Sequence, residues 1–121
     1  MSPVLLLALA ALTAGADPVP NETRLLRFPA IHGDTIVFTA EGDLWRASVK
    51  GGLAQRLTSH PGTEALASIS PDGQTVAFSA EYEGPMEIYT MPLAGGLPTR
   101  RTFHGGFART AGWTLDGRVL Y

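Results

Sequence analysis

The 121-residue chain contains no cysteine and has only a small imbalance of charge, with nine Lys and Arg against eleven Asp and Glu. Without cysteine there is no disulfide framework, no thiolate zinc ligand and no cysteine nucleophile. A formal net charge of -2 offers no basic surface for nucleic acid and no polybasic anchor for a membrane. We therefore expect no nucleic-acid partner. A sustained helical period is also missing beyond residue 16, which argues against a helical bundle.

Glycine and proline, in contrast, are abundant, with 14 and 9 residues, well above their average usage. The length allows one small domain at most. This composition favours short strands joined by many tight turns.

The first 16 residues carry no charged side chain and contain one apolar run, from Val4 to Leu12. These nine residues are too few to cross a bilayer core, which takes about 20. The small residues Ala14-Gly15-Ala16 follow, so we interpret residues 1–16 as a secretory signal peptide. The alternative is a short buried N-terminal helix. Cleavage after Ala16 would leave no membrane span, make residues 17–23 a linker, and place the protein in the periplasm or outside the cell.

An internal repeat runs through the rest of the sequence. Residues 33–41 (GDTIVFTAE) align with residues 73–81 (GQTVAFSAE) at an offset of 40, and four residues inserted around Glu81 to Met86 change the offset to 44. A third copy begins before Tyr121. The repeat positions are Phe38 with Phe78, Trp45 with Tyr89, Asp72-Gly73 with Asp116-Gly117, and Trp113 in the third copy.

Each copy is predicted to form four strands, because its apolar residues alternate and its Asp-Gly and Gly-Gly pairs suit tight turns. We expect strands at about 24–32, 35–40, 43–49 and 54–58, then 64–70, 74–80, 86–93 and 98–103, and finally 108–114 and from 118 onward.

Four short antiparallel strands in every 40 to 44 residues predict a β-propeller and hence an all-β fold. Blade one is expected at about 24–58, blade two at about 64–103, and a truncated blade three from about 108, which makes about two and a half blades. A blade buries both of its apolar faces only against neighbouring blades, and closed propellers have about 4–8 blades. We therefore expect the N-terminal part of a longer protein, partnered by downstream domains of the same chain. The alternative is an independent all-β domain.

The second copy resembles the repeat of TolB-type propellers, through Ile69-Ser70-Pro71-Asp72-Gly73 followed by Val76-Ala77-Phe78 and Ile88-Tyr89. The third copy departs from that pattern, with Leu115 where proline is usual. The first copy is more specific: residues 25–34 (LLRFPAIHGD), followed by Asp43-Leu44-Trp45, resemble the opening of the tricorn protease family.

The tricorn resemblance implies propeller domains in front of a PDZ domain and a serine peptidase core. The catalytic residues of that family lie far downstream of such a segment, so the resemblance implies a part in peptide substrate access during proteolysis and no catalytic residue here. Two alternatives stay open: a TolB-like envelope propeller that only binds proteins, and the accessory propeller of a prolyl-oligopeptidase-like or amidohydrolase enzyme.

No catalytic, cofactor-binding or metal-binding motif is found in the residues themselves. Gly-x-Ser-x-Gly is absent, as are His-x-His and His-x-x-x-His, so we expect no cofactor. His60 and His104 lie 44 residues apart, which makes them copies of one loop position and favours a structural role. With Glu81 and Glu83 of the inserted loop, they are our candidate contacts on the rim for a peptide or a neighbouring domain.

Two further polar features are interpreted as structural. Asp72 and Asp116 lie in predicted turns, where an aspartate side chain commonly accepts hydrogen bonds from local backbone amides. Arg56, Arg100 and Arg101 lie on the predicted outer strands, where charge discourages pairing with another chain.

Overall fold

The computed structural model describes residues 25–121, so the interpreted signal peptide and linker lie outside the described residues. Ten strands and no helix form within that range, which therefore contains no helix that could cross a membrane. The strands are β1 (Arg27–His32), β2 (Thr35–Ala40), β3 (Asp43–Ser48), β4 (Gln55–Arg56), β5 (Glu64–Ile69), β6 (Thr75–Ala80), β7 (Glu87–Pro92), β8 (Thr99–Arg100), β9 (Gly112–Trp113) and β10 (Val119–Leu120).

The strands form two four-stranded antiparallel sheets, β1-β2-β3-β4 and β5-β6-β7-β8, and a two-stranded sheet of β9 and β10. Each sheet is a meander in which chain neighbours pair. Phe38 pairs with Trp45 across β2 and β3, and Phe78 pairs with Tyr89 across β6 and β7. The repeat found in the sequence is therefore a repeat of cross-strand pairs, and the predicted all-β blades are confirmed.

The outer strands β4 and β8 are shorter than expected, with two residues each. One backbone bond continues past each of them, from Leu57 N to the Leu44 carbonyl and from Arg101 N to the Ile88 carbonyl. The reciprocal bond is lost because a threonine hydroxyl replaces the backbone acceptor. The Leu44 amide donates to Thr58 Oγ1 at 2.8 Å, and the Ile88 amide donates to Thr102 Oγ1 at 2.9 Å.

The inner strand of the third copy is also shorter than the expected span of 108–114, since its partner β10 covers only two of the described residues. Its first residues bond to blade two, as the first residue of β5 bonds to blade one. Ala108 N donates to the Met86 carbonyl at 2.8 Å, and Thr110 N donates to Ser79 Oγ at 2.8 Å. Only residues 112–113 pair with β10.

The core lies between the first two blades. Val37 and Leu44 on one face of blade one pack against the face of blade two that carries Phe78 and Tyr89, and all four are at most 5% exposed. The corresponding face of blade one, which carries Phe38 and Trp45, is only half-buried. Equivalent residues thus differ in burial because blade two has a neighbour on this side and blade one has none among the described residues.

Both complete blades have the same β-bulge in their inner strand. The register of β1 shifts between Arg27 and Ala30, and that of β5 shifts between Ala65 and Ser68. The bulged residues, Phe28 and Leu66, adopt φ values of 51° and 56°, in the left-handed region that bulky residues rarely occupy. A strained conformation that recurs at the same place is a feature of the blade.

One buried hydroxyl at the seam between the blades has no partner among residues 25–121, that of Thr39. In blade two its counterpart Ser79 accepts from Thr110 N at 2.8 Å and lies 3.3 Å from the Thr110 hydroxyl. The residue that corresponds to Thr110 at the first seam is Leu66, which has no hydroxyl. The two seams are therefore built alike but bonded differently.

Candidate functional site

The first copy's Ile-His-Gly-Asp segment contacts the Pro-Asp-Gly turn of blade two. His32 Nε2 lies 2.9 Å from the Pro71 carbonyl oxygen. Gly73 has a φ of 73°, and a Cβ there would lie 2.8 Å from the His32 ring. A glycine is required for both reasons, so two motifs that are separate in sequence form one contact between blades.

The two turn aspartates differ. Asp72 Oδ1 accepts from Ser70 Oγ at 2.5 Å and from Gln74 N at 3.0 Å, and these bonds lower the pKa of Asp72. It thus bonds a turn amide, as expected. Asp116 instead lies beside the side chains of Thr114 and Arg118, which lower its pKa, and its Oδ2 lies 3.0 Å from Arg118 Nη2.

Each complete blade has a group that we call the clasp, made of an acid at the start of the third strand, an outer-strand arginine and the threonine two residues later. In blade two, Arg100 Nη2 lies 3.3 Å from Glu87 Oε1, and the Thr102 hydroxyl donates to Glu87 Oε2. Gly105 N also donates to Glu87, at 2.9 Å. The Thr102 bond leads these contacts in lowering the pKa of Glu87.

In blade one the clasp is divided between two carboxylates. Arg56 pairs with Asp43, but the Thr58 hydroxyl donates to Glu64 on β5 of blade two. Asp43 is one methylene shorter than Glu87, its counterpart. Of the arginines that we interpreted as edge protection, Arg56 and Arg100 thus bond their own blade's acid, whereas Arg101 donates to the Thr90 hydroxyl.

Glu64 is completely buried and joins the two blades. Besides Thr58, it accepts hydrogen bonds from Leu44 N, at 3.0 Å, and from the Tyr82 hydroxyl. Burial raises the pKa of Glu64 above its ordinary value, and burial beside this carboxylate also raises the pKa of Tyr82. The sequence analysis missed Glu64 because its counterpart in the repeat is Ala108. Its one sequence signal is a lone carboxylate in an apolar strand.

Two of the four candidate rim residues, His60 and Glu83, line the same cleft between the outer parts of blades one and two. Its volume is about 510 Å³. The ring centroids of His60 and Tyr82 are 4.1 Å apart, and those of Tyr82 and Tyr89 are 4.6 Å apart. One part of the wall is therefore a row of three aromatic rings.

The other two rim candidates do not line this cleft. His104 Nε2 lies 3.3 Å from the Tyr121 hydroxyl. Glu81 is exposed, and its backbone amide donates to the Thr63 carbonyl at 3.1 Å. The cleft therefore unites only half of the set that the sequence singled out.

The histidines of residues 25–121 are engaged in local contacts. Gly62 N donates to His60 Nδ1 at 2.9 Å, while His32 and His104 contact Pro71 and Tyr121. None of these partners is a serine. Over the same residues there is no group of three or more His, Asp or Glu side chains that could hold a metal ion.

Comparison with known proteins identifies the family. The model of the tricorn protease N-terminal β-propeller domain matches residues 23–121. Tricorn protease homolog 1 of Streptomyces coelicolor is 43% identical over 103 residues, which are 84% of this chain and 10% of the relative. A tricorn-like protease N-terminal subunit of Sulfurisphaera tokodaii is 31% identical over 98 residues, 76% of this chain and 49% of that subunit.

Solved structures show the same fold. The crystal structure of the tricorn protease matches with a TM-score of 0.70 and 29% identity, covering 79% of this chain and 10% of that chain. The structure of a TolB protein from Agrobacterium tumefaciens matches with a TM-score of 0.69 and 30% identity, covering 78% of this chain and 36% of that chain.

The chain thus spans about a tenth of the length of the curated tricorn protease homologue and about half of the N-terminal subunit. Three observations point to the same family: the meander topology of the blades, their spacing of 40 to 44 residues, and the match over residues 23–121. This chain belongs to the family of the tricorn protease N-terminal β-propeller domain.

Proposed function

We propose that these blades are the front of a propeller that gives peptide substrates access to a serine peptidase core in a longer, exported protein. The observation that carries the proposal is the match of residues 23–121 to the tricorn propeller domain. The match covers only 10% of a much longer relative, which supports a division of labour in which cleavage takes place elsewhere.

The half-buried face of blade one supports further blades. Phe38 and Trp45 are partly exposed, whereas their counterparts Phe78 and Tyr89 are 0% and 5% exposed. Covering a large apolar side chain gains roughly 1.5–3 kcal/mol. A further blade on this face would bury both residues as blade one buries their counterparts.

The inner strands offer the surface along which a peptide would pass. The bulged residues Phe28 and Leu66, together with Thr110 and Ala111, line a shared groove of about 330 Å³. Because residues on three successive blades contribute to this groove, it runs across the blades. A substitution that fills it is the natural test of passage.

Ala111→Trp in the full-length protein is that test, since Ala111 is exposed in the groove. We expect cleavage of an unfolded protein such as reduced casein to slow at least fivefold, with hydrolysis of a fluorogenic tripeptide unchanged. Ala94→Trp, at an exposed outer turn, is the matched control and should change neither rate. If Ala111→Trp changes the rates of casein and tripeptide cleavage by the same factor relative to the parent, or changes neither, the access role is contradicted.

Export is supported by the apolar run from Val4 to Leu12 and by Ala14-Gly15-Ala16 after it. Cell fractionation and N-terminal sequencing test it, with Asp17 expected as the first residue of protein recovered from the envelope or medium. Recovery of uncleaved protein from the cytoplasm alone would contradict export.

A TolB-like protein-binding role is the second candidate, favoured by the TM-score of 0.69 to a TolB structure. A fluorophosphonate probe for reactive serines separates the two candidates. Labelling of the full-length protein supports the peptidase. A correctly folded protein that takes no label and cleaves no peptide supports the binding role.

A further inference from the structure

The loop between β6 and β7 is where the second copy is longer than the first. The equivalent turn in blade one is Glu41-Gly42, whereas blade two has residues 81–86. Two residues of this longer loop, Tyr82 and Glu83, line the 510 Å³ cleft described above. Insertions in repeat proteins map to loops and often to the binding face. Here the added residues form a wall of a cavity.

The cleft is a slot with an apolar interior. Tyr89, only 5% exposed, lies at its base, and the Tyr82 ring packs 4.6 Å from it and 4.1 Å from the His60 ring. Leu97, 88% exposed, lies at its margin. Clefts that bind small ligands or side chains are lined in this way, and their volumes are about 300–1,000 Å³. A flexible aliphatic chain would cover this surface.

The cleft also has a charge of one sign. Glu83 is the one Asp or Glu among the lining residues, none of which is Lys or Arg. Arg100 Nη1 lies 3.3 Å from Glu83 Oε2. The same guanidinium also pairs through Nη2 with Glu87 and lies over the Phe103 ring. The Glu83 carboxylate is 74% exposed. It is therefore accessible to a second cation, and the neighbouring aromatic rings favour a cation as well.

We propose that this cleft binds a single lysine or arginine side chain of an extended peptide segment. The aliphatic stem lies beside Tyr82 and Leu97, and the charged head pairs with Glu83. The occupant is thus set by two properties of the cleft, an apolar wall and one accessible carboxylate. The site lies on the outer seam between blades, and binding there needs no cleavage, so the inference stands apart from the proposed access role.

The test uses three fluorescein-labelled pentapeptides with the sequence Gly-Ala-Xaa-Ala-Gly, where Xaa is lysine, norleucine or glutamate. Anisotropy titrations are run on the full-length protein with a serine-peptidase inhibitor present. Norleucine keeps the stem and removes the charge. We expect the lysine peptide to bind about tenfold more tightly than the norleucine peptide, and the glutamate peptide to bind most weakly.

Three variants locate the binding. Glu83→Gln should remove the advantage of lysine over norleucine. Glu81→Gln, on the same loop but outside the cleft, is the matched control and should keep it. Leu97→Ser should weaken the lysine and norleucine peptides alike, about threefold. Leu97 is 88% exposed, so this variant tests the cleft without disturbing the ion pair of Arg100.

The proposal is overturned if norleucine binds as tightly as lysine. It is equally overturned if Glu83→Gln binds lysine unchanged, or if Glu81→Gln loses as much affinity as Glu83→Gln, which would indicate a general charge effect. Thermal unfolding of each variant establishes that it is folded. Should Glu83→Gln fail to fold, an unchanged affinity in Leu97→Ser overturns the proposal by itself.

Discussion

The two clasps differ in the length of the acid that pairs with the arginine, which is aspartate in blade one and glutamate in blade two. Giving blade one the acids of blade two tests what holds the first seam together. Blade one combines Asp43 with Glu64, whereas blade two combines Glu87 with Ala108. In blade two, one longer acid receives both the arginine and the threonine. The double variant Asp43→Glu with Glu64→Ala therefore gives blade one the clasp of blade two.

The single variant Glu64→Ala should be costly. The buried Thr58 hydroxyl loses its acceptor, and an unsatisfied buried donor costs about 1–3 kcal/mol. A void of about 50 Å³ adds about 1 kcal/mol, at 24 cal/mol per Å³. Leu44 N keeps Thr58 Oγ1 as an acceptor at 2.8 Å, and removing a buried carboxylate relieves its desolvation. We expect a net loss of about 2–3 kcal/mol at the seam.

Amide hydrogen exchange measures this loss locally, whatever the length of the protein. A loss of about 2 kcal/mol lowers the protection of the Leu44 amide about 30-fold, since 1.4 kcal/mol is a factor of ten. The Ile88 amide, bonded to Thr102 at 2.9 Å, is the internal control and should change much less. The double variant should recover Leu44 protection to within about threefold of the parent.

The refuting result is a double variant no better protected than Glu64→Ala. Asp43→Glu alone, which brings a longer acid toward Glu64, completes the cycle and should also be destabilised. If it is as stable as the parent, the complementarity of the two carboxylates is not what holds the seam.

Three further perturbations have defined outcomes. Thr39→Val removes the unpartnered buried hydroxyl and should stabilise by about 1 kcal/mol in urea unfolding; destabilisation would indicate a partner at that hydroxyl. Gly73→Ala should cost more than Gly105→Ala, because both have positive φ but only Gly73 would place a Cβ 2.8 Å from the His32 ring, and melting temperatures compare them. Asp72 has a lowered pKa, so it stabilises above its unfolded pKa and this contribution disappears as pH falls through the folded one. Asp72→Asn should thus flatten the acid limb of the stability curve, and an unchanged limb would contradict that reasoning.

Periodicity in the sequence was sufficient for the architecture. Alternation in residues 35–40 and 75–80 located β2 and β6, and the shift from 40 to 44 placed the extra residues in the β6–β7 loop, as the strands show. These features are local or strictly repeated. A single sequence can show them because each copy serves as a reference for the other.

The departures from the repeat were less visible. Glu64 bonds residues of both blades, yet its counterpart is Ala108, so aligning the copies gives no reason to pair it with Thr58. Phe28 and Leu66 adopt positive φ, which large side chains do not signal in advance. The shortening of β4 and β8 depends on a threonine hydroxyl that replaces a backbone acceptor. Composition cannot predict this replacement, because it depends on how the threonine side chain packs.

The buried carboxylate of β5 also bears on how such a ring assembles in the right order. A propeller built from similar modules risks docking the wrong neighbours during folding, a common failure of repeat proteins. Glu64 suits a neighbour whose own acid is short, as Asp43 is. Asp43 is itself buried and its charge already acts on Glu64, and a glutamate at that position, like Glu87, would bring the second carboxylate closer. We therefore expect the seam to favour docking of a module with a short acid at that position over one with a longer acid.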